Sequence, residues 1–90
     1  MSYRLLLHKN VTKFIEKCPD KQRQDIKQKL ELLKQNPYSS TQLDIKSMQG
    51  YESLYRLRIG QYRFVYQIKQ NELIIFMLKA GNRGDIYKGI

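Results

Sequence analysis

The chain has 90 residues, with 17 Lys and Arg against 8 Asp and Glu, a formal charge of +9. That length supports one modest core and no second unit, so residues 1–90 read as a single domain, and the charge favours an anionic partner, nucleic acid or an acidic protein, although it also serves solubility. The single Cys excludes an internal disulfide and any multi-cysteine metal site, and no apolar run approaches the ~20 residues of a membrane span, so a cytoplasmic setting without a membrane is expected.

Residues 3–8, YRLLLH, read as a short first strand, too short in apolar length to be a signal peptide. Asn10 can cap a helix whose apolar stripe is Val11, Phe14, Ile15 and Cys18, and Pro19 stops it. Asp20 is a plausible N-cap for a second helix, with Ile26, Leu30 and Leu33 as its buried stripe and Asn36-Pro37 as its end. The Lys and Arg residues between them read as the solvated face of an amphipathic helix. Residues 37–53 hold a Pro/Ser/Thr cluster and form a connection, with room for a short strand near Leu43–Met48.

The stretch LYRLRIGQYRFVYQI, Leu54–Ile68, alternates with period two about Gly60-Gln61, which predicts a tight hairpin with glycine at the first central turn position. Tyr55, Leu57, Ile59, Tyr62, Phe64, Tyr66 and Ile68 then share a core face. Leu54, Arg56, Arg58, Arg63, Val65 and Gln67 share the other, with Arg58 directly opposite Arg63. Like charges so placed destabilise a sheet by ~0.2–1 kcal/mol. After Gln70-Asn71 a third strand, ELIIFMLKA, is expected to pair antiparallel, with Lys69 against Glu72, Tyr66 against Ile75 and Phe64 against Met77. The predicted class is α+β: an N-terminal strand, then a two-helix hairpin packed on one face of an antiparallel β-sheet.

The chain has no Gly-rich phosphate loop, no HExxH motif and a single His, His8, read as a structural or surface residue at a strand end. What the residues offer is phosphate chemistry by cations. Arg56, Arg58 and Arg63 on one sheet face, joined by Arg83 and Tyr87 if the tail folds back, would form an electropositive floor with an aromatic edge. Such a floor holds single-stranded nucleic acid or stabilises the charge of a phosphoryl transition state.

The run GYESLYRLRIGQYRFVYQI followed by GNRGDIYKGI resembles the RelE/ParE toxin superfamily, in particular its RelE-like members, over the whole chain. The resemblance implies an mRNA interferase toxin of a type II toxin–antitoxin pair, a metal-free and cofactor-free enzyme that cleaves mRNA in the ribosomal A site. In that family the ribose 2′-hydroxyl attacks the adjacent phosphate, leaving a 2′,3′-cyclic phosphate and a 5′-hydroxyl. By the same resemblance Arg63 holds the scissile phosphate, Arg56 is a catalytic basic residue next to that phosphate, Arg83 stabilises or protonates the leaving 5′-oxygen and Tyr87 orients or stacks on a base, while Arg58, Lys46 and Lys79 are expected RNA contacts. The implied partners are a cognate RelB-like antitoxin, acidic where it binds and forming a hetero-oligomer with the toxin, together with the ribosome and mRNA. Where some members carry a further Lys, this chain has Leu54. Arginine stays protonated and makes a poor base, which leaves Lys46, Asp44, Glu52 and Tyr87 open for that role. The alternatives are a ParE-like inhibitor of DNA gyrase without RNase activity and a non-catalytic RNA-binding homologue.

Overall fold

The computed structural model, which describes residues 2–82, has the predicted strands and helices in the predicted chain order. Strand β1 (Arg4–Leu7) leads into helix α1 (Lys9–Glu16) and helix α2 (Asp20–Gln35). Strands β2 (Asp44–Ser47), β3 (Leu54–Ile59), β4 (Tyr62–Lys69) and β5 (Ile74–Gly81) follow. The sheet order is β1-β5-β4-β3-β2, with β1 parallel to β5 and the other neighbours antiparallel, so the sheet is mixed. The helices cover one face of it: Val11 and Ile15 from α1 and Ile26, Leu30 and Leu33 from α2 meet Leu57, Phe64, Tyr66, Ile75 and Met77 from the strands. Among the described residues no helix is long and apolar enough to cross a membrane.

The cap of α1 is His8 rather than Asn10. Its Nδ1 accepts the Asn10 backbone N–H at 3.1 Å, while its carbonyl accepts from Val11 and Thr12, so the imidazole takes the place usually filled by a small oxygen side chain. The helix ends at Glu16, ahead of Pro19, which itself stands at the N-cap position of α2, with Asp20 as the first helical residue. No cap hydrogen bond from a side chain supports that start. The corner is held by Arg23, whose guanidinium donates to the carbonyls of Glu16 (3.1 Å) and Cys18 (3.4 Å) and pairs with Asp20. Two more α2 cations are paired along the helix, Lys29 with Asp25 and Lys34 with Glu31.

Beyond α2, the buried Tyr66 hydroxyl donates to the Pro37 carbonyl at 2.7 Å and ties the connection to the middle of the sheet. Tyr55 stacks on Tyr66 at 5.7 Å, and Tyr38 closes edge-on against Tyr55 at 5.8 Å. Burial, reinforced by Tyr55 and opposed by Arg56, raises the Tyr66 phenol above its ordinary range. Burial and a hydrogen bond with Tyr3 push Tyr38 up to about 12.

The β3–β4 hairpin has the predicted register, Ile59 opposite Tyr62 and Arg58 opposite Arg63. Gly60 has φ +58° and Gln61 does not share a positive φ, the pattern of a type II′ turn. A Cβ at Gly60 would meet nothing within 4 Å, so the turn's demand for glycine is conformational, not a matter of space.

The β4–β5 connection differs from expectation. Its turn spans a 3₁₀ segment, Gln70–Glu72, and then Leu73 in the left-handed region, φ 54°, so Lys69 pairs with Ile74 instead of Glu72. Tyr66 accordingly meets Met77, and a bulge between Val65 and Tyr66 puts Phe64 opposite Ala80 instead of Met77. The core face survives because the turn adds two residues and the alternation has a period of two.

Candidate functional site

Alternation sends the second set of side chains to the face opposite the helices, and the register lines them up in rows across the sheet. One row runs Lys46, Arg56, Val65 and Lys79 across β2, β3, β4 and β5. The next, nearer the hairpin tip, runs Asp44, Arg58, Arg63 and Gly81. All five predicted basic residues that lie in described strands, Lys46, Arg56, Arg58, Arg63 and Lys79, therefore fall in two adjacent rows of one face. Arg83 and Tyr87 lie outside the described residues.

The five cations are not equivalent. Arg58 and Lys46 are exposed, whereas Arg63 and Lys79 are half-buried. The Arg58 Nε points back to the Gly60 carbonyl at 3.4 Å, which draws this side chain toward the turn. Arg56 is the most sheltered of the ion-paired arginines, its side chain 17% exposed and its Nε buried without a hydrogen-bond partner. Its Nη2 donates to Asp44 Oδ1 at 2.7 Å, diagonally between the two rows. A guanidinium edge buried with an unmet donor is costly, and in a face of like charge the Asp44 carboxylate is the anion that offsets part of that cost.

Sequence reasoning missed three features of this face. Asp44 was a candidate base but not a partner of Arg56, a contact that appears only once β2 takes its register beside β3. Lys69 continues the parity of Arg63, Val65 and Gln67, a signal present in the alternation, and its ammonium lies 5.6 Å from the centre of the Phe76 ring. Arg4 pairs with Ile74 and so reaches the same face from β1, through a long-range pairing that the local pattern does not announce. Glu52 lies in the connection ahead of β3, outside the rows. Among the described residues no three His, Cys, Asp or Glu side chains come together in a group that could hold a metal ion. An open groove of about 490 Å³ lies on the helix side of the hairpin tip, lined by Lys21, Asp25, Ile59 and Tyr62 among others, and shares none of the five cations.

A family model described as the ParE toxin of type II toxin–antitoxin systems matches residues 5–87. The chain belongs to the RelE/ParE toxin superfamily. This RelE-like chain is 33% identical over 88 residues, 98% of each chain, to the protein named as toxin RelE1 in Methanocaldococcus jannaschii. Its fold is similar to that of the archaeal RelE–RelB complex from Pyrococcus horikoshii OT3, with a TM-score of 0.82 at 29% identity, covering 93% of this chain and 98% of that one. A RelB–RelE antitoxin–toxin complex from Methanococcus jannaschii matches with a TM-score of 0.70 at 31% identity, covering 91% and 94%.

Proposed function

We propose that this RelE-like chain is the ribosome-dependent endoribonuclease of a RelBE-type pair. It cleaves mRNA in the A site by attack of a ribose 2′-hydroxyl on the adjacent phosphate, without a metal or cofactor. The observation that carries this reading is the single sheet face on which Arg56, Arg58 and Arg63 converge with Lys46 and Lys79. A phosphate beside Arg58 and Arg63 turns their mutual repulsion into shared attraction, and Arg63 with Arg56 stabilises the extra charge of the five-coordinate transition state. Arg63 and Arg56 hold the scissile phosphate, Arg58, Lys46 and Lys79 hold the neighbouring backbone, and Arg83 and Tyr87 serve the leaving oxygen and a base.

The same reading places the protein in the cytoplasm, where it meets ribosomes. Its proposed antitoxin is RelB-like, in keeping with the archaeal RelE complexes of similar fold. With +9 on this chain, an acidic antitoxin segment would associate quickly and in a salt-sensitive way.

The deciding experiment is primer extension on an mRNA in a reconstituted translation system, with the wild type and Arg63→Ala, with and without ribosomes. Cleavage within the A-site codon that needs both ribosomes and Arg63 supports the reading. Intact mRNA in every lane refutes it. The matching family model is named for ParE toxins, which keeps a second reading, inhibition of DNA gyrase without RNA chemistry. That alternative predicts DNA breaks and filamentation while translation initially continues.

A further inference from the structure

Transfer of a phosphoryl group to a 2′-oxygen requires a group that takes the 2′-hydroxyl proton. The arginines of the open face cannot do so, since a guanidinium keeps its proton to beyond pH ~12. Lys46 lies on the face, but an ammonium is a donor and offers no acceptor for the proton. In the described strands the carboxylate on this face is Asp44, and its position is specific. It stands opposite Arg58, which stands opposite Arg63, so the three cross two strand spacings, about 10 Å, in one line.

Two further observations favour a working carboxylate over an incidental one. Arg56 Nη2 holds Oδ1 at 2.7 Å, and because the Arg56 side chain is only 17% exposed, the carboxylate is clamped by an anchored partner. The Asp44 side chain itself is 55% exposed, open to a substrate on the face. The geometry points to Asp44 as the general base of the cleavage, an assignment that rests on the endoribonuclease reading above. In the step, Asp44 takes the 2′-hydroxyl proton and the 2′-oxygen forms a bond to phosphorus. The bond from phosphorus to the 5′-oxygen breaks, its electron pair leaves with that oxygen, and water protonates it. The products are a 2′,3′-cyclic phosphate and a 5′-hydroxyl, and Asp44 returns its proton to solvent. The charged groups facing Asp44 are Arg56 and Arg58 from β3, with Lys46 on its own strand and Arg63 one strand beyond.

The test compares wild type, Asp44→Asn and Asp44→Glu on ribosomes programmed with cleavable mRNA and, for binding, with mRNA 2′-O-methylated at the A-site codon. Asn can still accept the Arg56 hydrogen bond but cannot take a proton at neutral pH. Asp44→Asn should cut the single-turnover rate by about 10²–10⁴-fold while binding the methylated mRNA complex within about threefold of wild type. Asp44→Glu, which keeps a carboxylate on the same strand position, should recover part of the rate. An Asp44→Asn rate within a few fold of wild type overturns the assignment. Parallel loss of cleavage and binding also overturns it, because Asp44 would then act by positioning Arg56. If the wild type itself cleaves nothing, the endoribonuclease reading falls, and the assignment falls with it.

Discussion

Arg58 and Arg63 are directly opposed across β3 and β4, and a fold selected for stability alone would not place them so. Replacing either by Gln removes the repulsion while keeping a long polar side chain on the strand. For guanidinium groups about 6 Å apart, the repulsion is ~0.7 kcal/mol in a water-like dielectric. Screening over a Debye length of about 8 Å reduces this to ~0.3 kcal/mol at physiological ionic strength. Arg63 is half-buried, which lowers the local dielectric and moves the value toward ~1 kcal/mol. Arg63→Gln should therefore stabilise the fold by ~0.3–1 kcal/mol, Arg58→Gln by less because Arg58 also faces Asp44 across β2, and the double variant should gain little beyond Arg63→Gln. Urea denaturation of the four proteins at low and high salt measures this cycle directly. The gains should shrink with salt, and added RNA should stabilise the wild type more than any variant, because a ligand of the native state raises stability by mass action. Single substitutions that destabilise, or effects that add fully and ignore salt, would refute the argument that the pair is held in tension for a phosphate.

Tyr66→Phe deletes the hydroxyl that donates to the buried Pro37 carbonyl and leaves that carbonyl unpaired, so it should cost about 1–3 kcal/mol by urea denaturation. A cost below ~0.5 kcal/mol would mean that the carbonyl finds another donor. The raised pKa values of Tyr38 and Tyr66 carry a definite sign. Both phenols keep their protons in the folded state after the unfolded chain has begun to lose them, so this contribution is complete below pH ~10 and is lost as pH rises through about 12, where Tyr38 titrates. Circular dichroism and tyrosinate absorbance followed against pH should show alkaline unfolding in that window, with a weaker pH dependence in Tyr66→Phe. Constant stability from pH ~9 to ~12 would refute it.

Much of the fold was legible because it is locally written. The hairpin carries its own turn glycine, and period-two alternation on either side of Gly60 fixes both its register and which face holds the arginines. Of the two stripes, Val11, Ile15, Cys18, Ile26, Leu30 and Leu33 are buried, and Phe14 packs partly buried against the same core. The β4–β5 turn was misread because Leu73 adopts a left-handed conformation, φ 54°, that leucine does not advertise, and the bulge beyond it leaves no mark in the residue pattern. His8 replaced Asn10 as the cap for a similar reason, since an imidazole nitrogen can accept where an Asx side chain is the usual choice. The candidate site was legible as a set of cations. Its internal wiring was not, because the Asp44–Arg56 contact depends on where the short strand β2 settles against β3.

β5 lies between β1 and β4, so among the described strands the earliest in sequence pairs with the latest. A nascent chain that has not yet released β5 holds β1 with nothing to pair against and lacks Ile75 and Met77, two fully buried members of the core. Closing that long loop costs more chain entropy than closing the β3–β4 hairpin. The open arginine face is therefore completed on its scaffold only once β5 is available to pair with β4 and β1.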